Sequence, residues 1–162
     1  MKREDRRKLR EKEKALEKAM RVVSKKNGYK SLMGFPYKIV DGFLYEALIS
    51  TTQEKSGINP QLFIFIQSKP LILDEIFWKV FNMYEDAKTQ PESFHVKGAF
   101  TASSVMIDNF YHNFYEEENQ EIVAEKILEK VTLLIDSSRK KIFDIDTQPE
   151  PHILIQILEQ DY

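Results

Sequence analysis

The run from Tyr37 to Phe81 limits the fold most strongly, because it pairs the densest apolar sequence with the clearest turn. Asp41-Gly42 lies between Tyr37-Lys38-Ile39-Val40 and Phe43-Leu44-Tyr45-Glu46-Ala47-Leu48-Ile49. An Asp-Gly link suits a type I′ turn, which needs positive φ at both central residues and matches the twist of two antiparallel strands. After a polar loop from Gln53 to Pro60 comes Leu62-Phe63-Ile64-Phe65-Ile66. That run is too short for a helix and too apolar for an edge, so it predicts the buried centre of an antiparallel sheet. Ser68-Lys69-Pro70 ends it. A helix near 74–83 is then expected, capped by Asp74, with Ile76, Phe77, Val80, Phe81 and Tyr84 as the inward stripe.

On either side of this unit the pattern is helical at both ends. Leu9, Leu16, Met20 and Val23 form one stripe over residues 1–26, and Asn27-Gly28 supplies a stop; the first turns lack apolar contacts and are expected to fray. Residues 29–36 are a further strand or an irregular lead-in, since Gly34 and Pro36 interrupt them. Phe94, Val96, Gly98 and Phe100 alternate with His95, Lys97, Ala99 and Thr101, which predicts a half-buried strand, and Ala102-Ser103-Ser104 permits a reversal into a short strand over Val105 to Ile107. From Glu116 to Ser137, Ala124, Ile127, Leu128, Val131 and Ile135 share a helical face. Residues 152–160 are read as a helix from the Thr147/Glu150 capping-box spacing, with a strand as the alternative from their β-branched content.

A chain of 162 residues fits one domain, with residues 29–110 as sheet and 116–162 as a helical C-terminal part. The expected class is α+β: an antiparallel sheet of four to five strands, with the N-terminal and C-terminal helices mainly on one face. Without cysteine, disulfides and thiolate metal sites are excluded, and a reducing, cytoplasmic setting is expected. No apolar run approaches the ~20 residues that span a bilayer, so no membrane partner is expected. The formal charge of -2 hides an asymmetry. Residues 1–30 carry 13 Lys/Arg against 5 Asp/Glu, while the other 132 carry 11 against 21. Such a division suits either a polyanion-binding arm or a basic helix lying on an acidic body.

Motifs for common chemistries are missing. The five glycines stand in neither G-x-G-x-x-G nor G-x-x-x-x-G-K spacing, and there is no G-x-S-x-G elbow or H-E-x-x-H pair. No cofactor is implied. Asp108, His112 and Glu116 are spaced four apart and would line one helix face, where adjacent pairs could chelate a cation, although the outer two stand about 12 Å apart on a helix. Asp144 and Asp146 supply too few oxygens for a hard cation on their own. His95 could act as a base, but no neighbour in sequence offers an acid partner.

Two recognition features remain. Trp78, flanked by Asp74 and Asn82 one turn to either side, suits a protein contact, since a large rigid ring buries much area at little entropic cost. Arg3, Arg6, Arg7, Arg10 and Lys14 could meet phosphates, although Glu11, Glu13 and Glu17 interleave with them. The leading expectation is therefore a non-catalytic cytoplasmic protein-binding module, a neutraliser or adaptor whose acidic body meets a protein partner. The alternatives are a nucleic-acid-associated protein using the basic helix, and a small metal-assisted enzyme around Asp108 and His112. A homodimer through the N-terminal helix is a further option.

Overall fold

The computed structural model describes residues 3–52, 61–113 and 119–143. Among them, five strands form one antiparallel sheet in chain order: β1 (Lys30–Leu32), β2 (Phe35–Val40), β3 (Phe43–Thr51), β4 (Leu62–Pro70) and β5 (Val105–His112). The α+β class, the antiparallel sheet and the terminal helices are thus as the sequence predicts. Asp41 and Gly42 take φ values of 53° and 75°, the paired positive angles of the expected turn, and Val40 faces Phe43 across it. Met33 and Gly34, at 53° and 83°, make a second turn of the same kind, so residues 29–36 are a hairpin rather than a lead-in. Pro36 is tolerated because it lies one residue before the β2–β3 ladder begins at Tyr37.

Alternation along the strands divides the sheet into two faces. Tyr45, Ala47, Ile64 and Ile66 point to one, where α1 (Arg3–Lys26) and α5 (Gln120–Phe143) cover them. Leu16, Met20 and Val23 of α1 meet Ile127, Val131 and Ile135 of α5 in this core. Burying each such side chain contributes roughly 1.5–3 kcal/mol, enough to hold two helices that few local bonds would stabilise alone. Leu16, Met20 and Val23 of the α1 stripe are thus buried within the chain. At the end of α1, Gly28 turns left-handed at φ 76° and Tyr29 N–H donates to Ser24 at 2.9 Å, closing the predicted stop. Tyr29 also joins α5 through its hydroxyl, 2.9 Å from that of Thr132.

Leu44, Glu46, Leu48, Gln67 and Lys69 belong to the opposite face, since Leu44 pairs with Lys69 and Glu46 with Gln67. Over part of this face lie α2 (Leu71–Val80), α3 (Tyr84–Ala87), α4 (Phe94–Lys97) and their connections, a cap made by residues 71–104.

Three sequence expectations are corrected. Residues 94–97 form a helical turn, closed by Gly98 N–H to Phe94 C=O at 2.6 Å. The place beside β4 that they would take in chain order is filled by β5. The strand expected over Val105 to Ile107 runs on to His112, with an irregularity between Ile66 and Gln67. Asp108 and His112 therefore stand about 13 Å apart along an extended chain, not on one helical turn, and no group of three potential metal ligands gathers among the described residues. Finally, α2 starts at Leu71, with Pro70 rather than Asp74 at its N-cap. Glu116, the pair Asp144 and Asp146, and the 152–160 segment lie outside the described residues.

Candidate functional site

The direction in which α2 faces is set at its junction with β4. Leu71 N–H donates to Gly42 C=O at 2.8 Å, which ties the helix start to the β2–β3 turn. One turn on, Asp74 points into the sheet and is fully buried. Its carboxylate is held from three directions. Lys69, only 3% exposed, reaches Oδ1 at 3.0 Å and Oδ2 at 2.9 Å. Ala102 N–H donates to Oδ1 at 2.6 Å, and His95 Nδ1 lies 2.8 Å from Oδ2. The remaining need of Lys69 is met by Ala102 C=O at 2.9 Å.

A carboxylate accepts, so His95 Nδ1 is the donor in this arrangement. Sequence reasoning missed the acid partner because Asp74 lies 21 residues upstream and reaches His95 only through the fold. An acid-oriented imidazole can serve as a base. Here, however, the ring lies tilted against Trp78, centroids 4.9 Å apart, and no hydroxyl nucleophile is hydrogen-bonded to it among the described residues. What the cluster does is bind β4, α2, α4 and the Ala102 segment together. Taking two charges out of water costs several kcal/mol apiece, and only saturated geometry offsets it; this pair has that geometry.

The cluster also turns α2 inside out relative to the sequence reading. Trp78 is 3% exposed, packed on His95 and on Phe94 at 5.6 Å, and its indole N–H has no partner among the described residues. Trp78 and Asp74, expected at a protein contact, are thus interior. Asn82 is exposed but has a local role. At φ 55° it ends α2 in a left-handed cap, where its own N–H meets Lys79 C=O at 3.2 Å and Met83 N–H meets Trp78 C=O at 2.7 Å.

Four of the five residues expected inward look outward: Ile76, Phe77 and Phe81 are exposed and Val80 is 72% exposed, while Tyr84, now in α3, is half-buried. Ile72 and Leu73 are exposed as well. Phe100 joins them, its ring 4.5 Å from that of Phe81. Periodicity could not reveal this, because α2 is apolar almost all round and its two inward positions are an acid and a tryptophan.

On α1, Arg6, Arg7, Arg10 and Lys14 are exposed, while the side chain of Arg3 lies outside the described residues. Three of them, Arg6, Arg7 and Arg10, stand close together on α1 beside Glu4. Two neighbouring ion pairs, Arg7–Glu11 at 3.8 Å and Lys8–Glu4 at 3.9 Å, leave the local charge positive. No helix among the described residues is long and apolar enough to cross a membrane.

Comparison with protein-family models, curated proteins and solved structures finds no match for this chain.

Proposed function

We propose that the protein is a non-catalytic protein-binding module that receives a basic amphipathic segment of a partner on the outer face of α2. The observation that carries this reading is the inversion of α2. A buried ion pair and a buried tryptophan hold the helix so that Ile76, Phe77, Val80 and Phe81 stay in water. Contiguous apolar surface of this kind is a common mark of an interaction site. Three phenylalanines, Phe77, Phe81 and Phe100, give it the rigid anchors that dominate binding energy. A basic partner is chosen on the acidic balance of the chain beyond residue 30, 21 acidic residues against 11 basic ones. The lack of cysteine supports a cytoplasmic setting.

The test uses two labelled synthetic peptides that share leucines at helical spacing, one with lysines and one with glutamates on the other face. Saturable binding of the lysine peptide, weakened at least tenfold in the glutamate peptide and abolished by Ile76→Asp with Val80→Asp, is expected. Binding of neither peptide, or binding indifferent to those substitutions, rejects the reading. A dimer that Val80→Asp dissociates replaces the partner by a second copy.

A second reading is favoured by the exposed arginines of α1, whose charge suits phosphate groups. Titration of labelled RNA at two salt concentrations tests it: affinity independent of salt, or unchanged by Arg6→Ala with Arg10→Ala, rejects it.

A further inference from the structure

A second surface feature lies on the sheet face beside the cap. There, between β3, β4 and the loop after α4, is a cavity of about 380 Å³, within the range of roughly 300–1,000 Å³ usual for small-molecule sites. Its floor includes Glu46, which is only 7% exposed. Among the described residues, the carboxylate of Glu46 receives one hydrogen bond, from the Ser104 hydroxyl to Oε1 at 2.9 Å. Its Oε2 has no such partner, yet it is not among the fully sealed orphan atoms. Burial pushes the Glu46 carboxyl up, opposed by the Ser104 hydrogen bond and the charge of Lys69.

Lys69 lines the same cavity but is saturated by Asp74 and Ala102. Lys97, also in the lining, is exposed, and its ammonium meets the Met33 thioether and no carboxylate among the described residues. Leu32, Phe35 and Leu48 supply apolar wall to the same cavity. A buried carboxylate with an open lone pair asks for a charged donor, because leaving it half-satisfied is costly. An exposed ammonium against a sulfur asks for an anion.

We propose that this cavity binds a free α-amino acid with an apolar side chain, its ammonium on Glu46, its carboxylate on Lys97 and its side chain against Leu32, Phe35 and Leu48. The site is separate from the outer face of α2 and does not depend on it. Opposite charges on one small ligand match the opposite charges of the two residues, which a simple amine or a simple acid does not.

The experiment is calorimetry on the full chain with three probes: L-leucine, leucinamide, which lacks the carboxylate, and 4-methylpentanoate, which lacks the ammonium. Saturable binding of L-leucine, at least tenfold tighter than either analogue, is expected. Glu46→Gln should bring L-leucine down to the affinity of 4-methylpentanoate, and Lys97→Gln should bring it down to that of leucinamide. No saturable binding of any probe overturns the proposal, and so does L-leucine binding unchanged by Glu46→Gln. Leucinamide binding as tightly as L-leucine removes Lys97 and with it the amino-acid assignment. Thermal melts establish that each variant is folded. Should Glu46→Gln fail that check, Ser104→Ala takes its place, with weakened L-leucine binding expected and unchanged binding overturning the site.

Discussion

Lys69 and Asp74 stand five residues apart across the β4–α2 junction, and they form an ion pair at 2.9 Å in which the lysine is 3% exposed and the aspartate not at all. Removing one partner leaves the other charged and buried, which costs about 3–5 kcal/mol. Asp74→Ala is accordingly expected to lose that much in urea denaturation. Replacing both residues by apolar ones, Lys69→Met with Asp74→Leu, should lose clearly less than Asp74→Ala alone. Equal losses would mean that the pair does not act as a unit.

Trp78 gives a sharp distinction between surface and interior. As a surface anchor it could be truncated without harm to the fold; as the buried partner of His95 and Phe94, its truncation removes a large core group. Trp78→Ala should cost about 3–5 kcal/mol. Trp78→Phe should cost less, since it keeps most of the packing and deletes a buried N–H that has no partner among the described residues. Chemical denaturation of both variants checks the order.

On the outer face of the same helix the expectation reverses. Ile76→Asp and Val80→Asp place charges where the native side chains already meet water, so each should change stability by no more than about 0.5 kcal/mol. A cooperative melt near that of the native chain is expected from circular dichroism. Loss of the fold in either variant would show that these residues are covered.

Glu46 gives a pH dependence whose sign can be worked out. Burial raises its carboxyl in the folded state above the ordinary value of 4.5, so the folded chain holds the proton more tightly than the unfolded one. Its contribution is then most favourable below pH 4.5 and is lost as pH rises through the folded-state value. Glu46→Gln should therefore melt higher than the native chain at pH 7.5, with a gap that narrows by pH 4. A gap of the same size at both values would remove burial of this carboxyl as its cause.

Two glycines at positive φ separate strain from crowding. A Cβ at Gly42 would meet nothing within 4 Å, whereas at Gly34 it would collide with Glu17 Cγ on α1. Gly42→Ala should cost about 1–2 kcal/mol for the left-handed backbone alone. Gly34→Ala should cost more, because α1 must also shift or Glu17 must swing aside. Equal costs, measured by denaturation, would show that the Glu17 side chain yields freely.

How far the sequence could be read depended on whether the signal was local. Asp41-Gly42 determines its own turn, and Leu16, Met20 and Val23 mark the core side of α1 because every other face of that helix is polar. In α2 both sides are apolar, so period alone could not choose between them; the choice was made by Lys69 at the end of β4, and by Ala102 and His95, which reach Asp74 from 28 and 21 residues further along the chain. The Phe94–Thr101 alternation misled for a related reason. A strand needs an open neighbour, and the edge it would have joined is taken by β5. The Glu46 cavity left no mark in sequence, since its acid and base come from β3 and α4.

The order of the strands bears on how the chain reaches its native state. Each strand pairs with the next along the chain, from β1 to β5 without a crossover. Most of the sheet can therefore zip up from short-range closures, which carry a low entropic toll and proceed quickly. The docking of α1 against α5 is different in kind, because it joins opposite ends of the chain and has to wait for nearly all of it to be made. Until then the face bearing Tyr45, Ile64 and Ile66 lacks the part of its cover that α5 supplies, so a nascent chain stalled before α5 would be the species most in need of a chaperone.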